Sequence, residues 1–421
     1  MRKAMRIAAG VSALVLAGTL GACSAGDGVP TLTWYINPDD GGQAEIAASC
    51  TEAADGAYRI QTSLLPRDAA SQREQLARRL AASDRSLDIM SLDPPFIPEL
   101  AEPGFLAPVP EDLRNTDGVV QGAVQSASWK DELVTVPFWA NTQLLWYRKS
   151  VAEAAGLDMT QPVTWDQVIQ VAEDQDKKLG VQGALAESLT VWINALVASA
   201  GGQILEDPDA KPDDMQLGLD TEAGKKAADI ISRIGASGLG GSGLPTADEN
   251  ASMNLFQGDD GSFMVNWPFV YPAMQGAAPE VIDDLGWAVY PRVDAETPAA
   301  PPVGGINLGV GAYSAHTDLA WQAVACIVTP ENQAQYFVTN GNPPSNTAAY
   351  DDPQVQEKFP MADTIKESLD LGAPRPQTPY YNEISIGLQR TWHPPNAVSP
   401  DSTPQTSTDF ILAVLRGERL L

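Results

Sequence analysis

Leu87-Asp88-Ile89-Met90-Ser91-Leu92 is a short, nearly continuous apolar run. A strand of a parallel sheet is covered by helices on both faces and carries such a run, whereas a half-exposed strand alternates. Upstream of it, residues 58–65 read as another strand. Residues 72–84 read as an amphipathic helix, with Leu76, Ala77 and Leu80 on one face and a Glu74–Arg78 pair on another. Further upstream, Leu32-Thr33-Trp34-Tyr35-Ile36 reads as a strand, Asn37-Pro38-Asp39-Asp40-Gly41-Gly42 as a turn and residues 43–54 as a helix. Strand and helix in alternation indicate an α/β domain.

Downstream, residues 164–180 read as a helix opened by a capping box between Thr164 and Gln167, with Trp165, Val168, Ile169 and Ala172 on one face. Residues 221–234 form another helix, with Gly235 placed just past its C-terminus. Residues 262–266 and 306–310 read as later strands. Residues 372–404 are rich in proline, which confines them to short helices such as 382–390.

A chain of 421 residues suggests two or three domains, and 44% hydrophobic residues suffice for a sizeable core. The 26 basic against 54 acidic residues leave a net charge of −28, a surface that repels phosphate backbones and argues against a nucleic-acid partner. The two histidines, His316 and His393, provide no HExxH pattern and no cluster, so no metal is expected. No GxxxxGK[ST] occurs, and no cofactor is expected.

The first residues have a different character. Arg2, Lys3 and Arg6 precede an apolar and small-residue run over 7–20, the layout of an export signal over residues 1–22. Its end, Leu20-Gly21-Ala22-Cys23, resembles a bacterial lipobox. That resemblance implies a diacylated Cys23, a lipidated tether over 23–30 and a protein held at the outer face of the cell membrane; an ordinary signal peptide is the alternative. Cys50 and Cys326 then remain, and a leftover pair in an exported protein suggests a disulfide, with two buried free thiols as the alternative.

Ligands of open α/β sheets sit beyond the carboxyl ends of the strands. Asp39 and Asp40 follow the first strand, and Asp93 follows the 87–92 run. Asp93 precedes Pro94-Pro95, so helix capping accounts for it as well as ligand binding does. A carboxylate facing a cleft can accept hydrogen bonds from two vicinal hydroxyls, chemistry suited to sugars. Asn266-Trp267-Pro268-Phe269-Val270-Tyr271 brings three rings to the end of a strand, and Trp146-Tyr147, Trp192, Tyr380-Tyr381 and Trp392 add others. The C–H face of a pyranose stacks on an indole, although any single Trp is more often core.

Longer stretches carry a family resemblance. Trp129-Lys130-Asp131-Glu132-Leu133-Val134-Thr135-Val136-Pro137-Phe138-Trp139-Ala140-Asn141-Thr142-Gln143-Leu144-Leu145-Trp146-Tyr147-Arg148 resembles the central motif of extracellular solute-binding proteins of ABC sugar importers, family 1 type. Gly304-Gly305-Ile306-Asn307-Leu308-Gly309-Val310, Ser199-Ala200-Gly201-Gly202 and Gln257-Gly258 extend the match over most of the mature chain. More narrowly, residues 88–93, 141–148 and 265–270, with the paired Cys50 and Cys326, resemble the trehalose-binding lipoproteins of actinobacterial importers.

That resemblance implies an α/β, two-lobed periplasmic-binding-protein-like fold, each lobe a mixed sheet flanked by helices, joined by hinge crossovers. Residues 31–140 plus 305–330 would form one lobe and 141–304 plus 331–421 the other. By motif, Asp93, Asn141 and one of Asp39 or Asp40 would contact sugar hydroxyls, Trp267 would stack, and the backbone at Gly305-Ile306 would line the cleft. An acidic residue precedes the helix before the tryptophan motif; here it is Asp248 or Glu249. The trehalose-type pattern places an arginine within Ser-Ile-x-Leu, where this chain has Ser385-Ile386-Gly387-Leu388. Arg390, on nearly the same helix face, is the expected substitute, and Tyr381 is a further candidate ligand-binding residue. The implied partners are a disaccharide (trehalose first), ABC permease subunits and the membrane through the lipid, around a monomer that is not an enzyme. An exported glycoside hydrolase, a binding protein for maltose or maltodextrin, and a sugar sensor docking to a membrane receptor are the rival readings.

Overall fold

The computed structural model describes residues 28–421; the expected signal over 1–22 and the expected lipid site at Cys23 lie outside them. Its strands are β1 (Thr31–Ile36), β2 (Arg59–Leu64), β3 (Ile89–Leu92), β4 (Ser128–Trp129), β5 (Glu132–Leu133) and β6 (Val136–Thr142). They continue with β7 (Leu144–Arg148), β8 (Lys178–Gly180), β9 (Gly261–Asn266), β10 (Leu285–Ala288), β11 (Pro302–Val310) and β12 (Ala373–Pro374).

Two mixed sheets define two lobes. The first runs β12-β11-β3-β1-β2, with β6 paired to β11; β1 is parallel to β2 and β3, and β11 runs antiparallel to β3 and β6. The second runs β10-β7-β9-β8. All four residues of β3 are buried, as the apolar run requires. The charged residue just before it, Asp88, is buried but satisfied: it accepts from the Thr33 amide at 2.8 Å and the Ser314 hydroxyl at 2.5 Å. The first lobe packs Leu32, Trp34, Phe138 and Leu308 against the helices Gly42–Ala53 and Thr317–Ile327, which the Cys50–Cys326 disulfide joins. The second lobe is centred on Trp165, Trp192, Phe263 and Trp392.

Several local expectations change. The helix expected over 164–180 keeps its capping box but ends at Asp174; Asp176 takes a positive φ of 52°, and 178–180 pair with β9 as β8. The helix from Glu222 runs on to Ser237 and ends at Gly238, with φ 75°. Gly235 lies inside that helix, where a Cβ would come within 2.7 Å of the Pro395 backbone; its smallness serves packing. Asp93 does not cap the short helix at Pro94–Phe96 with its side chain. The tail expected wholly in the second lobe is divided, because β12 pairs with β11 in the first sheet and the helix Pro330–Asn340 packs on Gly42–Ala53.

The chain crosses between lobes at three places. Only Gln143 separates β6 from β7; β11 returns to the first sheet, and the segment after β12 leads into the second-lobe helix Tyr381–Trp392.

Candidate functional site

A cleft of about 630 Å³ lies between the lobes. Its first-lobe wall is made by the loops at the carboxyl ends of β1, β2 and β3, as expected for an open α/β sheet. Asp39 and Asp40 both line it. Asp39 accepts from the amides of Gly41 at 3.1 Å and Gln43 at 2.8 Å, so it organises the start of the Gly42–Ala53 helix. Asp40 is exposed and is the freer carboxylate. Asp93 extends into the cleft from the end of β3.

The second-lobe wall is built from helix N-termini. Glu187 opens the helix Glu187–Ser199, and Asp248 caps the helix Glu249–Gln257 by accepting from the Ala251 amide at 2.8 Å. The unpaired amides and aligned dipole at such an end favour negative charge, which accounts for carboxylates gathering here. Asp248 is exposed, whereas burial pushes the Glu249 carboxyl above its ordinary value, with its own backbone amide and the Trp267 side chain pulling it down. Both line the cleft, and Glu249, half-buried, is the more enclosed of the two.

Trp267 follows β9. Its amide donates to Asn266 Oδ1 at 2.9 Å, while Asn266 Nδ2 donates to the Glu249 carbonyl at 2.9 Å, which fixes the indole and the acid together. The ring lies over Gly304, where a Cβ would sit 3.2 Å from Cη2. Gly305 holds φ 127°, and a Cβ there would meet the Trp139 carbonyl oxygen at 2.2 Å; only glycine lets β11 pass β6 so closely at the cleft floor. Asn141, Gly305 and Ile306 line that floor.

Two expected residues fall elsewhere. Arg390 is exposed and outside the cleft lining. The position of Gly387 faces Ile411, whose Cγ1 would be 2.4 Å from a Cβ there, so that side of the helix packs against its neighbour. Tyr381 is buried beneath the cleft wall and donates its hydroxyl to Glu187. Trp146, Trp192 and Trp392 are fully buried core residues.

Two arginines line the cleft, Arg67 and Arg375, and the buried one is Arg375, just after β12. It donates through Nη2 to Asp93 Oδ1 at 2.6 Å and through Nη1 to Glu187 Oε1 at 2.7 Å. Burial pushes the Glu187 carboxyl up, and the Arg375 charge pulls it down. The sequence reading missed Arg375 and Glu187. It also missed Trp139, although Trp139 shares a strand face with Asn141, a signal legible from the period of two.

Four lining residues carry a buried polar atom without a partner among the described residues: Asn37 Oδ1, Trp139 Nε1, Ser188 Oγ and Asn340 Oδ1. Among the described residues no His, Cys, Asp and Glu group could hold a metal ion.

Residues 59–334 match the family described as bacterial extracellular solute-binding protein. The chain belongs to that family. A "Probable ABC transporter-binding protein" from Deinococcus radiodurans is 26% identical over 279 residues, which span 62% of this solute-binding protein and 64% of the relative. Among solved structures, maltose-bound MalE3 of T. maritima aligns with a TM-score of 0.77 and 23% identity, covering 92% of this chain and all of that one. The GacH receptor of Streptomyces glaucescens, studied unliganded and with acarbose, aligns with a TM-score of 0.77 and 19% identity over 92% and 98% of the two chains. The solute-binding protein thus has the two-lobed fold of MalE-like proteins.

Proposed function

We propose that this solute-binding protein captures a neutral disaccharide, trehalose first, in the interlobe cleft and delivers it to the permease of an ABC importer. The observation that carries the reading is the gathering of Asp40, Asp93, Asn141 and Glu249 with the Trp267 indole around one interlobe cleft. Carboxylates accept hydrogen bonds from hydroxyls, an amide side chain both donates and accepts, and an indole covers an apolar C–H face, a set that fits a polyhydroxylated ligand. The volume lies within the range of about 300–1,000 Å³ usual for small-molecule sites.

In this reading Asp93, Asn141, Glu249 and Asp40 receive or share sugar hydroxyls. Asp39 holds the loop, Trp267 covers the apolar face of one ring, and Gly305-Ile306 supply backbone. The two lobes, hinged at the crossovers, close over the sugar because it touches both. Maltose and acarbose, bound by the MalE3 and GacH proteins, are glycosides of related chemistry. Trehalose is placed first by the resemblance of residues 88–93, 141–148 and 265–270. Export with lipidation at Cys23 would set the protein at the outer face of the membrane, beside the permease.

A thermal-shift screen over trehalose, maltose and other disaccharides tests the proposal, since a ligand that binds the folded form raises its stability. Trehalose is expected to give the largest upward shift. A larger shift with maltose moves the assignment to maltose, and no shift with any sugar overturns the reading. Release of free glucose from trehalose would favour a hydrolase.

A further inference from the structure

Arg375 joins three stretches that are distant in sequence: the loop after β3, the N-terminus of the helix Glu187–Ser199 and the segment after β12. Its side chain is 6% exposed, against 20% for Asp93 and 18% for Glu187. The two carboxylates belong to opposite walls of the cleft.

The partners of Glu187 are already assigned. Besides Arg375, it accepts the Tyr381 hydroxyl on Oε1 and the Ser385 hydroxyl on Oε2 at 2.6 Å. Gln389 Nε2 donates to Ser385 Oγ at 3.0 Å, and the Tyr381 ring lies 5.9 Å from the guanidinium carbon and 5.4 Å from the Phe96 ring. Glu187 is therefore an anchor. Asp93 differs: among the described residues only its Oδ1 has a partner, Arg375, which leaves Oδ2 for the cleft.

We propose that Arg375 is the positioning residue of the cleft, bound to Glu187 on one side so that its other nitrogen aims the Asp93 carboxylate at the hydroxyls of the ligand. This rests on the sugar-binding reading given above. A guanidinium suits the task because its planar fork reaches two carboxylates in fixed directions; an ammonium is a point charge without that geometry. Glutamine removes the charge and leaves two close carboxylates facing each other.

The test is a double-mutant cycle on the dissociation constants of trehalose and maltose, using the full mature protein and titration calorimetry. Arg375→Gln is expected to weaken binding about tenfold or more in the wild-type background, the scale of a charged hydrogen bond. In the Asp93→Asn background the same change should cost less than about threefold, because the group it positions is already altered. Arg375→Lys should recover only part of the affinity. Should Arg375→Gln not fold, Arg375→Lys and Glu187→Gln take its place in the cycle. Equal losses in both backgrounds, or unchanged affinity in a folded Arg375 variant, overturn the proposal while sugar binding stands. A wild-type protein that binds no sugar overturns both.

Discussion

The Asp93 carboxylate stands 2.6 Å from Nη2 of Arg375, across 282 residues of sequence. The pair joins the end of a first-lobe strand to the last crossover, so the acid that motif reading assigns to the sugar is also part of the structure that relates the two lobes. A charge that lines the cleft and is this well held should be costly to lose.

Asp93→Ala is expected to weaken disaccharide binding by about 1.5–3 kcal/mol, which is roughly tenfold to a hundredfold. Calorimetry on the folded variant measures it, and unchanged affinity would remove Asp93 from the site.

Trp267→Ala should cost about 1.5–3 kcal/mol of binding by uncovering the apolar face of the sugar. Trp267→Phe should keep most of the affinity, since a smaller ring still lies over Gly304. Equal losses in the two variants would count against stacking.

Glu249 gives a prediction with opposite signs for stability and binding. Its carboxyl is raised above 4.5 by burial, so the folded state holds the proton more tightly than the unfolded state does. Stability from this group is therefore lost as pH rises from 4.5 through the folded value. Glu249→Gln should melt about 1–3 °C higher than wild type at neutral pH without ligand. The difference should shrink on acidification, while sugar affinity falls at every pH. Melting curves across pH 4.5–8 decide it; a lower melting temperature at neutral pH would contradict the assignment.

Gly305→Ala places a methyl group against the Trp139 carbonyl in a backbone conformation at φ 127°. A loss of about 1–3 kcal/mol in unfolding free energy is expected from the strain. Urea titration measures it, and a neutral result would mean that β11 and β6 can part here.

Cys50 and Cys326, with Cα atoms 5.9 Å apart, should show no free thiol by intact mass under non-reducing alkylation. Replacing both by serine should cost about 2–5 kcal/mol of stability.

In the first sheet β1, β2, β3 and the end of β11 are legible from apolar runs bounded by turn residues, whereas β6 and β12 are not read as strands. Asp39, Asp40 and Asp93 line the cleft by the same rule, since residues just past a parallel strand open onto it. The motif residues Asn141 and Trp267 also reached the cleft. Arg375 gave no such signal. It sits between Pro374 and Pro376 with no periodicity around it, and its partners lie 282 and 188 residues away. Helical spacing puts Arg390 near the face of Gly387, but Gly387 meets Ile411 and Arg390 is exposed. Spacing predicts which residues share a face; it does not say what the face meets. The tryptophans show the same limit, since composition alone does not separate an indole in a core from one over a sugar.

In the first sheet β11 lies between β3 and β6, and the whole second sheet is threaded into the chain before it. A nascent polypeptide therefore lacks the middle of its first sheet until synthesis has passed Val310, roughly three-quarters of the way along. Until then β6 and β3 have no strand to pair with each other through, and early stable folding of that half is discouraged by wiring alone.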